Sequence, residues 1–186
     1  MGGQRFANCL ILANPGRKFN RLHDFRTAFS TNGLDMHYVK ESRIAAPPER
    51  VFAWHAMPGT LARLTPPWER VEILEGGDSL QPGSRVRLRA RVGPIWIRWI
   101  AEHVEYDPPR RFSDKQIGGP FALWHHDHWF LDDGAGGTIV RDEVEFQPPM
   151  GGLGRLLLGA WIRRKLERLF TFRHEVTRRA CEEIAP

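Results

Sequence analysis

Six short stretches of alternating apolar and polar residues, followed by one long amphipathic stretch, constrain the fold of this chain more than any other feature. Clusters of Gly, Pro, Asp and Ser separate the six stretches, a pattern that predicts β-strands joined by tight turns. Strands joined by turns this short pair antiparallel with their neighbours. The predicted strands are ERVEILEG, SRVRLRARV, IWIRWIAEHVEY, RFSDKQI, FALWHHDHWFL and TIVRDEVEF.

The flanking segments complete an α+β fold. HYVKESRI predicts a first strand, and APPERVFAWH and PGTLARLTPPW predict two short helices after it, with prolines at the start of the first and the end of the second. Residues 153–184 predict one long helix. Because a curved antiparallel sheet and a long helix cannot bury their apolar faces by flat stacking, we expect the sheet to wrap around the helix and to leave a cavity. The apolar stripe of the helix is expected at Leu153, Leu156, Leu157, Trp161, Leu169, Val176 and Ala180.

Charge, cysteine and hydropathy patterns argue against several classes of protein. The 186-residue chain has a net charge of +5, most of it within residues 1–35, so the balanced remainder gives no support for nucleic-acid binding. No apolar run approaches the roughly 20 residues of a membrane-spanning helix. Cys9 and Cys181 form neither a disulfide framework nor a cysteine metal motif, which favours a reducing cytoplasm. Residues 1–35 show no lasting periodic pattern of apolar and polar residues. They are expected to be a disordered tail, or to precede a true start of the protein at Met36.

The stretch GGPFALWHHDHWF, residues 118–130, places three histidines and an aspartate among large aromatic residues. Side chains alternate across a strand, so His126 and His128 share one face with Trp124 and Phe130, while His125 and Asp127 share the other. The following strand carries one charged residue on its apolar face, and the preceding strand turns two polar residues inward with Phe112. The polar residues expected to face the interior are Asp114, Gln116, His126, His128 and Asp142.

Three interpretations of this interior cluster remain open beside a fully packed core. Two histidines with Asp114 or Asp142 are the donor set of a two-His, one-carboxylate metal site, but no third tight ligand is evident, so no metal is expected. A His–Asp pair in an apolar cavity suits proton transfer next to a carbonyl group. The leading interpretation is a polar patch that orients an apolar ligand in a pocket.

The order of elements and three segments resemble the START-like, helix-grip superfamily, which includes polyketide cyclase/dehydrases, coenzyme-Q-binding proteins and birch-pollen-allergen-like proteins. The segments are APPERVFAWHAMPGTLARLTPPW, YDPPRRFSDKQIGGPFALWHHDHWF and IVRDEVEFQPP. The chain is most similar to the bacterial ligand-binding SRPBCC group, over about residues 36–184. That group's pattern falls on Phe112, Asp114, Gln116, Gly119, Pro120, Phe121, Trp124, His126, His128 and Phe130.

The resemblance implies one START-like domain over residues 36–186 that binds a hydrophobic or aromatic small molecule, such as a lipid, quinone or polyketide-like compound, without a cofactor. Apolar contacts, or the core just beneath them, are expected from Phe121, Trp124, Phe130 and Phe146, and polar contacts from Asp114, Gln116, His126, His128 and Asp142. One alternative is a metal-free cyclase or dehydratase, of lyase or isomerase type, with His126 or His128 as general base and Asp142 or Asp114 orienting it. A second alternative is a surface module that contacts a membrane or partner through Arg163, Arg164, Lys165 and Arg168.

Overall fold

The computed structural model describes residues 35–183. The expectation for residues 1–35 therefore falls almost wholly outside the described part of the chain. The elements are β1 (Met36–Ile44), α1 (Pro48–His55), α2 (Thr60–Arg63), β2 (Val71–Glu75), β3 (Arg85–Val92), β4 (Ile95–Asp107), β5 (Arg111–Gly118), β6 (Leu123–Asp132), β7 (Thr138–Gln147) and α3 (Gly151–Glu182).

The seven strands form one antiparallel sheet in the order β1-β7-β6-β5-β4-β3-β2. Strands β2 to β7 pair consecutively through turns, and β1 adds to the free edge of β7. The 13-residue strand β4 is the longest, and its pairing with β5 shifts register between Ile100 and Ala101 and again between His103 and Glu105. Such irregularities bend a strand and increase its twist, which helps the sheet to curve around α3. The predicted helix-grip architecture is confirmed.

The apolar stripe predicted for the last helix is wrong in the first half of the helix, although the helix itself is present and Val176 and Ala180 pack against the core as predicted. Leu156 is 80% exposed and Leu157 62% exposed, and Leu153 and Trp161 also face outward. The face that packs on the sheet steps through the helix at three- and four-residue intervals, as an amphipathic helix requires. It consists of Gly159, Ile162, Leu166, Phe170, His174, Thr177 and Cys181. The prediction followed the leucines and overlooked a buried face made partly of small and polar residues.

The apolar interior is divided into two clusters. One gathers around α1, where Phe52 packs against Phe112 and Phe130 in edge-to-face contacts. The other joins α3 to the opposite end of the sheet through Phe146 and Phe170. Burying an aromatic side chain of this kind stabilises the fold by about 1.5–3 kcal/mol. Both ends of the β1–β7 pair are thus packed on helices, while the space between β2–β6 and residues 157–173 of α3 is left open.

Candidate functional site

A cavity of about 860 Å³ lies between the sheet and α3. This volume is in the upper part of the range of small-molecule sites in proteins, roughly 300–1,000 Å³. Most of its wall is apolar, contributed by helices α1 to α3 and by β2–β6. The apolar wall includes Leu61, Leu64, Val86, Leu88, Ile97 and Leu158.

An aromatic group forms one end of the cavity. Trp99 from β4, Trp124 from β6 and Phe121 from the β5–β6 turn have ring centroids 4.9–5.4 Å apart in tilted or edge-to-face arrangements. The Gln116 amide donates to the Phe121 carbonyl over 2.7 Å and accepts from the Phe121 N–H over 3.3 Å. Gln116 therefore holds the turn that presents Phe121 and is not itself part of the cavity wall.

The register of β5, β6 and β7 brings the predicted polar residues together on one wall. Asp114 lies opposite His126 across the β5–β6 pair, and Asp142 lies opposite His128 across the β6–β7 pair. Directly opposed residues of antiparallel strands point to the same face with Cβ atoms about 4.5–5.5 Å apart. Asp114, His126 and His128 line the cavity, and Asp142 lies behind them, away from the cavity wall.

Asp142 is the centre of a buried hydrogen-bond network. Its Oδ1 accepts from His126 Nε2 over 2.9 Å and from His128 Nδ1 over 2.8 Å, and its Oδ2 accepts from His174 Nε2 over 2.6 Å. His174 belongs to α3, and its Nδ1 lies 2.8 Å from the Ser42 hydroxyl on β1. The network connects three strands to the helix and fixes which nitrogen of each cavity-lining imidazole faces away from the cavity.

The second nitrogen of each cavity-lining imidazole faces Asp114. His126 Nδ1 lies 3.5 Å and His128 Nε2 3.4 Å from Asp114 Oδ2. The ring of His128 is also stacked on Phe112, with centroids 4.1 Å apart. The two imidazoles thus bridge two carboxylates, with the short contacts on the Asp142 side and the long contacts on the cavity side.

Burial and ion pairing have opposite effects on the protonation states of this cluster: burial favours the neutral forms, and pairing favours the charged forms. Burial favours a neutral imidazole at His126, but pairing with the carboxylates of Asp114 and Asp142 outweighs it and raises the pKa of His126 to about 9. Burial likewise opposes ionisation of the two carboxylates, but their histidine partners hold the pKa of Asp114 and of Asp142 well below the usual range. Both aspartates are therefore ionised at neutral pH, and His126 carries a proton on each nitrogen.

Four further residues of the site were missed by the sequence analysis. His174 completes the network, and Arg173, His55 and His103 line the cavity. Burial lowers the pKa of His55 to about 4, despite a hydrogen bond to the Val51 carbonyl, and also lowers the pKa of His103. His174 could have been found from the four-residue steps that link it to Phe170 and Leu166 on α3.

The structure places the nine predicted ligand-binding residues in three settings. Phe121, Trp124, Asp114, His126 and His128 line the cavity. Phe130 and Phe146 are buried in the two apolar clusters beneath it. Gln116 and Asp142 support cavity residues through hydrogen bonds.

One described group of residues offers the atoms that a metal ion would need. The donor atoms of Asp114, His126 and His128 all lie within 4.8 Å of one another. Within residues 35–183, no helix combines the length and the apolar character that crossing a membrane requires.

Comparisons with known structures agree with this architecture. The protein TTHA0849 from Thermus thermophilus is 25% identical, with a TM-score of 0.60, over 78% of this chain and 99% of its own. The Zhui aromatase/cyclase from Streptomyces sp. R1128 is 24% identical, with a TM-score of 0.59, over 78% of this chain and 96% of its own. Norcoclaurine synthase from Thalictrum flavum, in complex with dopamine and hydroxybenzaldehyde, is 13% identical, with a TM-score of 0.63, over 82% of this chain and 89% of its own.

No curated protein sequence matches the chain. The sequence model of one family, described as polyketide cyclase / dehydrase and lipid transport, matches residues 36–182. That range includes every described strand and helix and all of the cavity wall. The chain therefore belongs to the polyketide cyclase/dehydrase and lipid transport family.

Proposed function

We propose that this protein binds a hydrophobic or aromatic small molecule, such as a lipid, quinone or polyketide-like compound, in the cavity between the sheet and α3. The observation that carries the proposal is a cavity of about 860 Å³ whose wall is apolar except for a few converging polar groups. The cysteine pattern of the sequence favours a cytoplasmic setting for this activity.

The two parts of the wall divide the work of recognition. The aromatic group of Trp99, Phe121 and Trp124 offers ring faces and edges to an apolar or aromatic body. The His126 and Asp114 side offers a proton donor and an acceptor to oxygen atoms of the ligand. A molecule with an extended apolar body and a carbonyl or hydroxyl group at one end satisfies both parts.

Ligand binding is tested by filling the cavity. Ala101 lines it, so Ala101→Phe should displace the ligand, whereas Ala135→Phe in the exposed β6–β7 turn should not. Native mass spectrometry of protein from its own host reads out co-purified organic mass, and a fluorescent apolar probe reads out affinity. We expect loss of both signals in Ala101→Phe alone. Equal probe binding by wild type and a folded Ala101→Phe variant would contradict the proposal.

A second candidate function is acid–base chemistry of cyclase or dehydratase type on a bound carbonyl compound. The favouring observation is that His128 lines the cavity while its Nδ1 donates to the buried Asp142 over 2.8 Å. This contact fixes the tautomer and leaves Nε2 as the nitrogen able to take a substrate proton. His128→Gln should then abolish turnover of a polyketide-like poly-β-carbonyl substrate and leave probe binding within a few-fold of wild type. Unchanged turnover would exclude His128 as the base.

A third candidate function uses the exposed half of α3. Leu153, Leu156, Leu157 and Trp161 face outward, and Leu157 and Trp161 also reach the cavity. Exposed arginines follow on the same helix at Arg163, Arg164 and Arg168, whereas Lys165 is bound to Glu69 over 2.9–3.0 Å. An apolar face with adjacent cations matches an anionic lipid surface. The proposed role is contact with such a surface, by which an apolar ligand would reach the cavity without crossing water.

A further inference from the structure

We propose that Asp114, His126 and His128 form a binding site for a divalent first-row transition-metal ion, such as Zn²⁺ or Fe²⁺, on the wall of the cavity. The sequence alone predicts no metal, because no third tight ligand is evident beside the two histidines. The register of β5 against β6 supplies that ligand by placing Asp114 opposite His126. Such an ion would bind whether or not the cavity also takes an organic ligand.

The first support is the spacing of the donor atoms. Asp114 Oδ2 lies 3.5 Å from His126 Nδ1 and 3.4 Å from His128 Nε2. Charge-assisted hydrogen bonds between such groups are shorter, about 2.7–2.9 Å. Ligands around a tetrahedral zinc ion, with bonds of about 2.0–2.1 Å, lie roughly 3.3–3.4 Å apart. The cavity-side distances are therefore long for direct hydrogen bonds and suited to atoms that share an ion.

The second support is the set of outer contacts. Histidines that bind metals donate their other N–H to a carboxylate, which fixes the tautomer and the ring orientation. Here both distal nitrogens donate to the same oxygen of Asp142, over 2.9 and 2.8 Å. Asp142 is held in turn by His174, and His174 by Ser42. This arrangement leaves His126 Nδ1 and His128 Nε2 as the nitrogens available to an ion.

The third support is charge and access. The buried Asp142 and the partly buried Asp114 place two negative charges in the network. One divalent cation that displaces the second proton of His126 would balance these charges with both imidazoles neutral. All three proposed ligands line the cavity, so further coordination positions would open toward it. Two imidazoles and one carboxylate with open positions are the donor set of many non-haem iron sites, and imidazole also suits Zn²⁺.

The test is a titration of chelator-treated full-length protein with Co²⁺, and separately with Zn²⁺, without any organic ligand. We expect one Co²⁺ per chain with visible d–d absorption, abolished in His128→Gln and Asp114→Asn. The matched controls His125→Gln and Asp127→Asn alter the opposite face of β6 and should bind like wild type. Asp142→Asn should weaken binding by about 10–100-fold. Absence of Co²⁺ binding in wild type, or equal binding by folded His128→Gln, would overturn the proposal.

A measurement on wild type alone covers the case in which the ligand variants do not fold. Crystals grown with Zn²⁺ should show an anomalous peak within bonding distance of Asp114, His126 and His128, and a peak only elsewhere refutes the site. Probe binding to the cavity is measured separately, with chelator present. A protein that binds the probe but no metal supports the organic-ligand proposal alone, and a protein that binds metal but no probe supports the metal site alone.

Discussion

Replacing Asp142 with the nearly isosteric asparagine should lower the free energy of unfolding by about 3–5 kcal/mol, the range for breaking a buried ion pair. Asp142 accepts three hydrogen bonds from histidines, and bonds to a charged group each contribute about 1.5–3 kcal/mol. Asparagine retains one acceptor oxygen, and His174 can adopt the other tautomer and accept from the new amide. The loss of stability therefore comes mainly from His126, because its buried imidazolium then has only the Asp114 carboxylate as a charged partner.

The measurement is urea unfolding at neutral pH followed by tryptophan fluorescence, with linear extrapolation to water. Asp127→Asn is the matched control because Asp127 lies on the same strand, faces the other side and pairs with His125 over 3.3 Å. Partly exposed pairs of this kind contribute about 0–1 kcal/mol. If Asp142→Asn loses no more stability than Asp127→Asn, the network centred on Asp142 is not the structural link described above.

Three further predictions concern other parts of the molecule. Burial lowers the pKa of His55 to about 4, so protonation of His55 favours the unfolded chain as pH falls below about 6.5. Between pH 7.5 and 4, wild type should therefore lose up to about 3 kcal/mol of stability relative to His55→Gln, as measured by urea unfolding. The control variant His37→Gln, altered at an exposed histidine, should behave like wild type. Gly119→Ala should destabilise the fold by about 1–3 kcal/mol and weaken probe binding, because the added Cβ would clash with Gln116 Oε1 and break the hydrogen bonds that hold the β5–β6 turn. Unchanged melting and probe affinity would contradict this. Leu156→Glu should reduce binding to anionic vesicles at least tenfold without altering the melting temperature. An equal loss of binding to neutral vesicles would indicate non-specific hydrophobic adsorption of the helix and would contradict recognition of an anionic surface.

The alternation of β5, β6 and β7 was enough to predict which polar side chains face inward. His126 and Asp142 are buried, while His125 pairs with Asp127 on the other face, because a two-residue period leaves few choices once Phe112 and Phe130 must be buried. The register could not be predicted, because a shift by two residues preserves every face while exchanging every partner. Only the structure shows that Asp142 lies behind the histidines and Asp114 on their cavity side.

The last helix shows where sequence reasoning failed. Both the predicted and the observed stripes have helical spacing, and the predicted one contains more leucine. The stripe that packs on the sheet contains Gly159, where a Cβ would lie only 2.9 Å from Met36 Cε, and His174, whose N–H is donated to Asp142. Those requirements come from β1 and β7, which no analysis of the helix alone could include. The rejected leucines became exposed surface beside the cavity.

The two aspartates are chemically identical and differ only in position, and that difference limits what the site can do. Asp142 accepts a hydrogen bond from one nitrogen of each imidazole on the side away from the cavity. The chemistry of a bound ligand therefore depends on what binds to His126 Nδ1 and His128 Nε2 on the cavity side. Each of these nitrogens can hold a proton or coordinate a cation, but not both at once. A metal ion would therefore close the proton-transfer route at His128 while it is bound and would bind ligand oxygens itself. It follows that if turnover depends on His128 as a base, Zn²⁺ should inhibit it in wild type and chelator should restore it. If turnover depends on the metal, the same two additions should have opposite effects.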